Sequence, residues 1–438
     1  MSLIASPYLL FNLSGDPFFQ EPLTAEPEDL ERTRELFVGR TSDLRLLGNQ
    51  VAGAESRAST RAVVSGAAGL GKTSLVNRLK NELATAKSPA VLCAASPVRM
   101  QAGMTPDDFR AEVLRTLLLI HSTLLENNAR KREAESSTEK EFWRRVARML
   151  NGEDVKTGGF NLSAAGAGVG MSRAVSRIAA GRKSLSLYPE LAKAFTYLSH
   201  GGKRRTLVHV NNLENLSTSA AAAAQQLVQN VRDDLLLPGS HWLFVGTTEV
   251  VQAVITGGPT QVQGIFPVHV DLAPLTPNEV AELLRRRYHA MRRGLRKVIP
   301  PVAINAAEEL YALYHGDLRN FLRLLSSAVQ RAAISGTPAS LSRDDVIYTM
   351  RPAYHDAITA RLTGDDAGYV KHLVTSYGDA AFTEASVQDK RRGVGLSQSA
   401  ASRLVDRLEA AGTCTLADVS GRKKSYRWSG DTLVAFSP

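Results

Sequence analysis

The sequence predicts an α/β core, a parallel sheet with flanking helices, then an all-helical segment and a C-terminal helix-turn-helix with a basic hairpin. Three observations predict it. Residues 66–73 read Gly66-Ala67-Ala68-Gly69-Leu70-Gly71-Lys72-Thr73, an unbroken G-x-x-x-x-G-K-T between an apolar run and a helix-period run. From Arg61 onward, short apolar runs alternate with helical stretches, the pattern of a sheet covered on both faces. After Pro274 the pattern turns helical to about residue 360, and the remainder combines helices with two short strands.

The elements follow in order. Residues 1–35 are Pro-rich and partly acidic and read as an arm leading into the core. Phe37-Val38-Gly39-Arg40 precedes a helix from Thr41 through Leu47. Arg61–Ser65 reads as a buried strand and Ser74–Leu83 as a helix. Val91–Ala95 is a second strand. Thr105, Pro106, Asp107 and Asp108 combine a capping hydroxyl, a first-turn proline and acids at the positive end of a helix running to about Asn127. An insert spans about 128–200. Its glycine-rich part, 158–172, predicts a small hairpin or a flexible loop. Strands resume at Thr206–Val210, His241–Val245 and Pro267–Val270. The expected units are 1–35, 36–273, 274–360 and 361–438.

The octapeptide carries chemistry. Its glycines let backbone N–H groups curl around phosphate oxygens, and the following helix aims its N-terminus at an anion. Lys72 supplies a point charge to the β/γ-phosphates, and the Thr73 hydroxyl can ligate Mg²⁺. Gly66, Gly69, Leu70, Gly71, Lys72, Thr73 and Ser74 are therefore the candidate residues for binding ATP. No Cys/His cluster has zinc spacing. His209, flanked by apolar residues, reads as a core histidine rather than a ligand.

Bulk properties narrow the class. The chain of 438 residues is 44% hydrophobic and 22% charged, as expected of a globular protein. No apolar run is long enough to span a membrane, and the first residues lack a signal-peptide pattern. Cys93 and Cys414 read as reduced thiols, so a cytoplasmic location is expected. Net charge is +10, compatible with a polyanionic partner. The cations cluster at Arg285-Arg286-Arg287 through Lys297, at Lys390-Arg391-Arg392 and at Arg422-Lys423-Lys424.

With these motifs in place, the chain resembles an AAA+ ATPase of the origin-recognition/initiator-like branch, over roughly residues 35–350. The resemblance rests on the G-K-T loop, on Phe37–Arg40, on Gly246-Thr247-Thr248 and on Gly316-Asp317-Leu318-Arg319. It implies that Val38 and Arg40 lie near the adenine. It also implies that Thr248 is the sensor-1 residue, that Arg319 is a sensor-2 arginine reaching the γ-phosphate, and that Arg232 is a trans-acting finger. One departure matters. Where that family carries an apolar strand ending in two acids, this chain has Val208-His209-Val210-Asn211-Asn212-Leu213-Glu214. Asn211 stands at the metal position and Asn212 at the position of the base. An amide adds no charge and is no base. Glu214 is a candidate substitute base, or else a solvated carboxylate. Slow hydrolysis is the expectation.

In the C-terminal region, Asp365–Ser376, Thr383–Val387 and Ser397–Gly412 read as helices. Thr413–Leu416 and Ser425–Trp428 read as strands flanking a basic turn. The order resembles a winged helix-turn-helix. It implies that Gln398, Ser399, Ser402 and Arg403 face a DNA major groove and that Arg422, Lys423 and Lys424 meet phosphates. The expected function is an ATP-binding switch, with Mg²⁺, that couples nucleotide state to assembly and double-stranded DNA binding. The expected assembly is a homo-oligomer or a complex with a partner protein. The rival reading is an ATP-dependent oligomerising signalling module whose winged helix binds a protein effector.

Overall fold

The computed structural model describes residues 6–53, 59–85, 91–126, 136–151, 187–216, 221–257, 260–334, 339–420 and 423–436. The glycine-rich segment 158–172, Gly421 and Arg422 lie outside the described residues.

Strands β1 (Arg61–Ser65), β2 (Val91–Cys93), β3 (Val98–Arg99), β4 (Arg205–Asn211), β5 (Ser240–Val245) and β6 (Val268–Asp271) form one parallel sheet. Its order is β2-β4-β5-β1-β6, with β3 also paired to β4. This is the α/β core of a P-loop protein. Every residue of β5 is buried, as continuous apolar strands covered on both faces must be. The pleat divides them. Leu243 and Val245 join Val64, Leu75 and Leu79 under the helices Thr41–Gly53 and Lys72–Ala84. Trp242 and Phe244 face the other layer, where Trp242 stacks on Phe109 of the helix Pro106–Glu126. Ser137–Asn151, Tyr188–Ser199 and Ala221–Asn230 complete that layer.

The all-helical segment after the core forms a lid with the helices Pro277–Ala290, Ile304–Leu313, Leu318–Ile334 and Arg343–Thr359. Capping boxes start two of them, Thr276 with Glu279 and Ser342 with Asp345. The first residues do more than lead into the core. Tyr8, Phe11, Leu13 and Phe18 are buried in the lid's own apolar cluster, beside Leu284, Tyr288 and Phe321. The arm then crosses to the core, where the Leu23 N–H donates to Ser74 Oγ and Asn77 Nδ2 donates to the Leu23 carbonyl.

The C-terminal unit packs the helices Gly364–Tyr377, Glu384–Gln388 and Gln398–Ala410 against an antiparallel sheet. That sheet is β7 (Phe382–Thr383), β8 (Cys414–Ser420) and β9 (Lys423–Trp428), ordered β7-β9-β8. It has a strand more than the sequence suggests. Lys423 and Lys424 lie in β9 rather than in a turn, because the hairpin pairs out to Ser420–Lys423. A last helix, Gly430–Phe436, was not expected. It returns to the lid, where Asp431 accepts from the Tyr314 hydroxyl at 2.9 Å and pairs with Arg323 at 2.8 Å. Among the described residues no helix is long and apolar enough to cross a membrane.

Candidate functional site

At the carboxyl end of the sheet, β1 runs into the glycine loop and then the helix from Lys72, forming one wall of a cleft of about 380 Å³. Among the described residues, no backbone acceptor takes the N–H groups of Gly69 through Thr73. They stand at a helix N-terminus, available to an anion. Lys72 is buried and donates to the carbonyls of Gly66 and Ala67, both at 2.8 Å. Burial lowers its pKa, Glu214 opposes that, and Arg319 adds to it. The lysine is thus a desolvated cation satisfied only by its own loop. Gly69 has φ +82°, and a Cβ there would lie 2.8 Å from Asp317 Oδ1 and 3.1 Å from Arg319 Cβ. The lid therefore rests directly on the loop.

The facing wall comes from the ends of β4 and β5. Asn211 Nδ2 lies 3.4 Å from Thr73 Oγ1, and Asn211 Oδ1 accepts from the Asn212 N–H at 2.9 Å. Asn212 has φ +63°, a left-handed conformation that asparagine tolerates better than most residues. Glu214 is exposed on the short turn Leu213–Leu216, and it lines the cleft with both asparagines. Thr248 requires a correction. The chain leaves β5 at Val245, and the residue lining the cleft is Thr247. Thr248 opens the next helix and donates to Asp271 Oδ1 at 3.1 Å. Asp271 also accepts from Ser65, whose hydroxyl contacts His269 Nε2 at 2.8 Å.

Arg319 lines the cleft from the lid, exposed, next to Leu318 and Leu322. Asp317 caps that helix by accepting from the Asn320 N–H at 3.0 Å. Arg40 reaches the loop through Nη2, which donates to the Leu70 carbonyl at 3.2 Å. Burial lowers its pKa against the pull of Asp43 and Glu279. Val38 packs against the lid core. Ser74, the next helix residue, takes its contact from the arm. Arg232 is exposed and absent from the cleft lining. Of the two acids that follow it, Asp234 is buried against Arg110 at 2.9 Å.

Sequence reasoning missed a third wall, built by Phe19, Gln20, Glu21 and Pro22 of the arm with Arg287. Arg287 is only 5% exposed. It donates to the carbonyls of Pro17 and Phe19 at 3.0 and 2.8 Å, and its guanidinium lies 3.8 Å from the Phe19 ring centre. Burial brings its pKa down to about 10. The run Arg285-Arg286-Arg287 is therefore not one solvated stripe. Arg286 pairs with Glu282 and donates to the Phe37 carbonyl. The available signal was Phe18-Phe19, two adjacent aromatic residues in an otherwise polar segment.

In the C-terminal unit, Gln398, Ser399 and Arg403 are exposed and Ser402 is half-buried, while Ala401, Leu404, Val405 and Leu408 face inward. Lys423 and Lys424 are exposed at the hairpin end of β9. Arg392 lies over the Tyr377 ring and donates to the Ser376 carbonyl, so it is partly committed to the fold.

No protein-family model matches the sequence, and no curated protein matches it. Among solved structures, the chain is similar to the Aeropyrum pernix ORC1 protein in complex with DNA. The two are 15% identical with a TM-score of 0.46, over 94% of this chain and 96% of that one. It is also similar to the Aeropyrum pernix ORC2 protein in its ADPNP–ADP complexes, at 14% identity and a TM-score of 0.46, over 96% of each chain. A third likeness is to the Thermotoga maritima RuvB Holliday junction branch migration motor. There the identity is 13% and the TM-score 0.37, over 87% of this chain and 90% of that one.

Proposed function

We propose that this chain is an ATP-binding switch of the AAA+ type that couples nucleotide state to assembly and to duplex DNA binding, with slow hydrolysis. The carrying observation is convergence in one cleft. Open loop amides, a desolvated Lys72 and the lid's Arg319 surround the same space. These residues fit a triphosphate. The amides of Gly69–Thr73 would bind phosphate oxygens, Lys72 would exchange its loop carbonyls for them, and Arg319 would tie the phosphate to the lid. The arm residues Phe19–Pro22 would enclose the nucleotide from the third side.

The donor set for a metal is weaker. Thr73 offers a hydroxyl, while Asn211 turns its amide nitrogen toward Thr73 and commits its oxygen to Asn212. Mg²⁺ bound there would offset the charge of the phosphates. Without an acid at 211 or 212, Thr73 would be the main protein group to hold that ion. Glu21 and Glu214 are the carboxylates among the residues lining the cleft, and Glu214 stands on the turn that follows β4. It is the residue we assign to orienting water, at a slow rate. Closure of lid on loop would then report nucleotide, because Gly69 already touches Asp317 and Arg319.

We read the C-terminal unit as a winged helix-turn-helix. Gln398, Ser399, Ser402 and Arg403 would read the groove, and Arg422, Lys423 and Lys424 would contact phosphates. The helix Gly430–Phe436, locked to the lid through Asp431, supplies a rigid connection between nucleotide and DNA. The test is binding of a labelled random-sequence duplex by the full chain across salt, with and without ATP. Affinity should rise with ATP, and K423E/K424E should weaken binding and flatten its salt dependence. Wild-type protein that binds no duplex at low salt would sink the DNA reading and favour a protein effector on the same domain.

A further inference from the structure

A second cationic surface stands apart from the cleft and from the C-terminal domain. Residues 285–300 hold seven Lys and Arg side chains and no carboxylate. Arg287 and Arg286 are committed to the arm, as described. Arg293, Arg296 and Lys297 are exposed, and among the described residues none has a carboxylate within ion-pair distance.

The loop that carries them is held in shape. The Arg293 N–H donates to the Asn12 carbonyl at 2.9 Å, Asn12 Nδ2 donates to the Lys297 carbonyl at 2.9 Å, and the Ile299 N–H donates to the Phe11 carbonyl at 3.2 Å. Arg292, also exposed, folds back along the loop and donates through Nε to the Arg296 carbonyl at 3.0 Å. Three free cations are thus displayed on a braced loop. Beside them lies a notch of about 420 Å³ rimmed by Arg285, His289, Arg292 and Lys297.

We infer that the lid loop Arg292–Lys297 is a second contact for the phosphate backbone of duplex DNA, used together with the C-terminal domain. The inference rests on the DNA reading above and extends it to the lid. Like charges this dense repel one another, and a polyanion relieves that repulsion. A regular backbone can place phosphates on both the loop and the notch. A membrane surface fits less well, because Leu295 is the lone strongly exposed apolar side chain of Arg292–Lys297 and the preceding helix Pro277–Ala290 buries its apolar face, Val280, Leu283 and Leu284, in the lid. Backbone contacts of this kind add affinity without sequence preference. The loop is tied to the arm that walls the nucleotide cleft, so DNA held here would also bear on that wall.

The test uses the full chain and the variants R293E/R296E/K297E, R293Q/R296Q/K297Q and K423E/K424E. Arg292 is kept because it holds the loop carbonyls. Binding of a labelled random-sequence duplex is followed by anisotropy between about 50 and 200 mM salt. The loop variants should bind at least tenfold more weakly, and the slope of log K against log salt should fall by about 0.9 for each phosphate left unneutralised. ATP affinity by calorimetry should not change. If K423E/K424E weakens binding and both loop variants match wild type, the lid contact is refuted while the DNA reading stands. If wild type binds no duplex, both fall. If the loop variants retain DNA but lose binding to phosphatidylserine vesicles, the surface belongs to a membrane and the inference is overturned.

Discussion

Asn211→Asp adds one negative charge at the end of β4 and leaves the shape of the side chain unchanged. Asn211 Oδ1 accepts from the Asn212 N–H at 2.9 Å, and a carboxylate keeps that bond. Its other oxygen would replace Nδ2, which lies 3.4 Å from Thr73 Oγ1, and would accept from that hydroxyl. A dication held by Thr73 would stand roughly 4 Å from the new charge. At an effective dielectric between about 20 and 80 the gross attraction is roughly 2 to 8 kcal/mol. Half-burial of the new carboxylate returns several of those. The net expectation is about 1.5 to 3 kcal/mol, tenfold to somewhat over a hundredfold in affinity. Calorimetric titration of ATP with and without Mg²⁺ measures it. The enhancement by Mg²⁺ should be larger in the variant by that factor, while affinity without metal should fall from repulsion of the phosphates. Turnover should stay slow, since Asn212 is unchanged. An identical enhancement in both proteins would show that position 211 does not face the metal, and the account of slow hydrolysis would lose its basis.

Two further outcomes test the geometry. Gly69→Ala puts a Cβ against Asp317 and Arg319 at a left-handed backbone position, which alone costs about 1–2 kcal/mol. ATP affinity by calorimetry should drop at least tenfold, and an unchanged value would contradict the close seating of lid on loop. Lys80→Met removes a lysine that is 2% exposed, donates to the Ala95 carbonyl at 2.9 Å, and has its pKa lowered by burial from 10.5 to about 8. At this site the unfolded chain then binds more protons than the folded one between those values, so the stability of wild type relative to the variant should rise as pH increases from 8 toward 10.5. That relative gain amounts to roughly 3 kcal/mol. Parallel urea-unfolding curves across that range would refute it.

How much was legible depended on how far apart partners lie in the chain. The G-K-T loop, β1 before it and the helix after it form a local unit, and glycine spacing and apolar runs reveal it. β5 was legible because Trp242, Leu243, Phe244 and Val245 form an unbroken apolar run, as a strand buried on both faces requires. Asn211 and Asn212 stood out because the positions are set by the strand that precedes them. The Thr247 placement turned on one residue of register where β5 ends, which composition does not fix. Arg287 read as part of a basic run, since nothing near it in sequence says that two carbonyls and a ring some 270 residues earlier enclose it. The arm was opaque for the same reason, its aromatic residues being core only in company with the lid. Gly430–Phe436 was not foreseen as a helix because its partners, Tyr314 and Arg323, belong to another unit.

The threading of the arm has a consequence for how the molecule is made. The Tyr8 hydroxyl meets Ser326 at 3.1 Å across a sequence separation of 318, and Arg287 holds Pro17 across one of 270. Tyr8 and Pro17 must wait for the lid helices before they meet these partners. At ribosomal rates of about 5–20 residues per second, that delay is tens of seconds. During it Tyr8, Phe11 and Phe18 are exposed apolar groups on a growing chain. Closing so long a loop is also slow, because the entropy of closure precedes any gain from contact. A nascent-chain protease assay should find this segment cleavable until the helix Leu318–Ile334 has left the exit tunnel, and protected soon after.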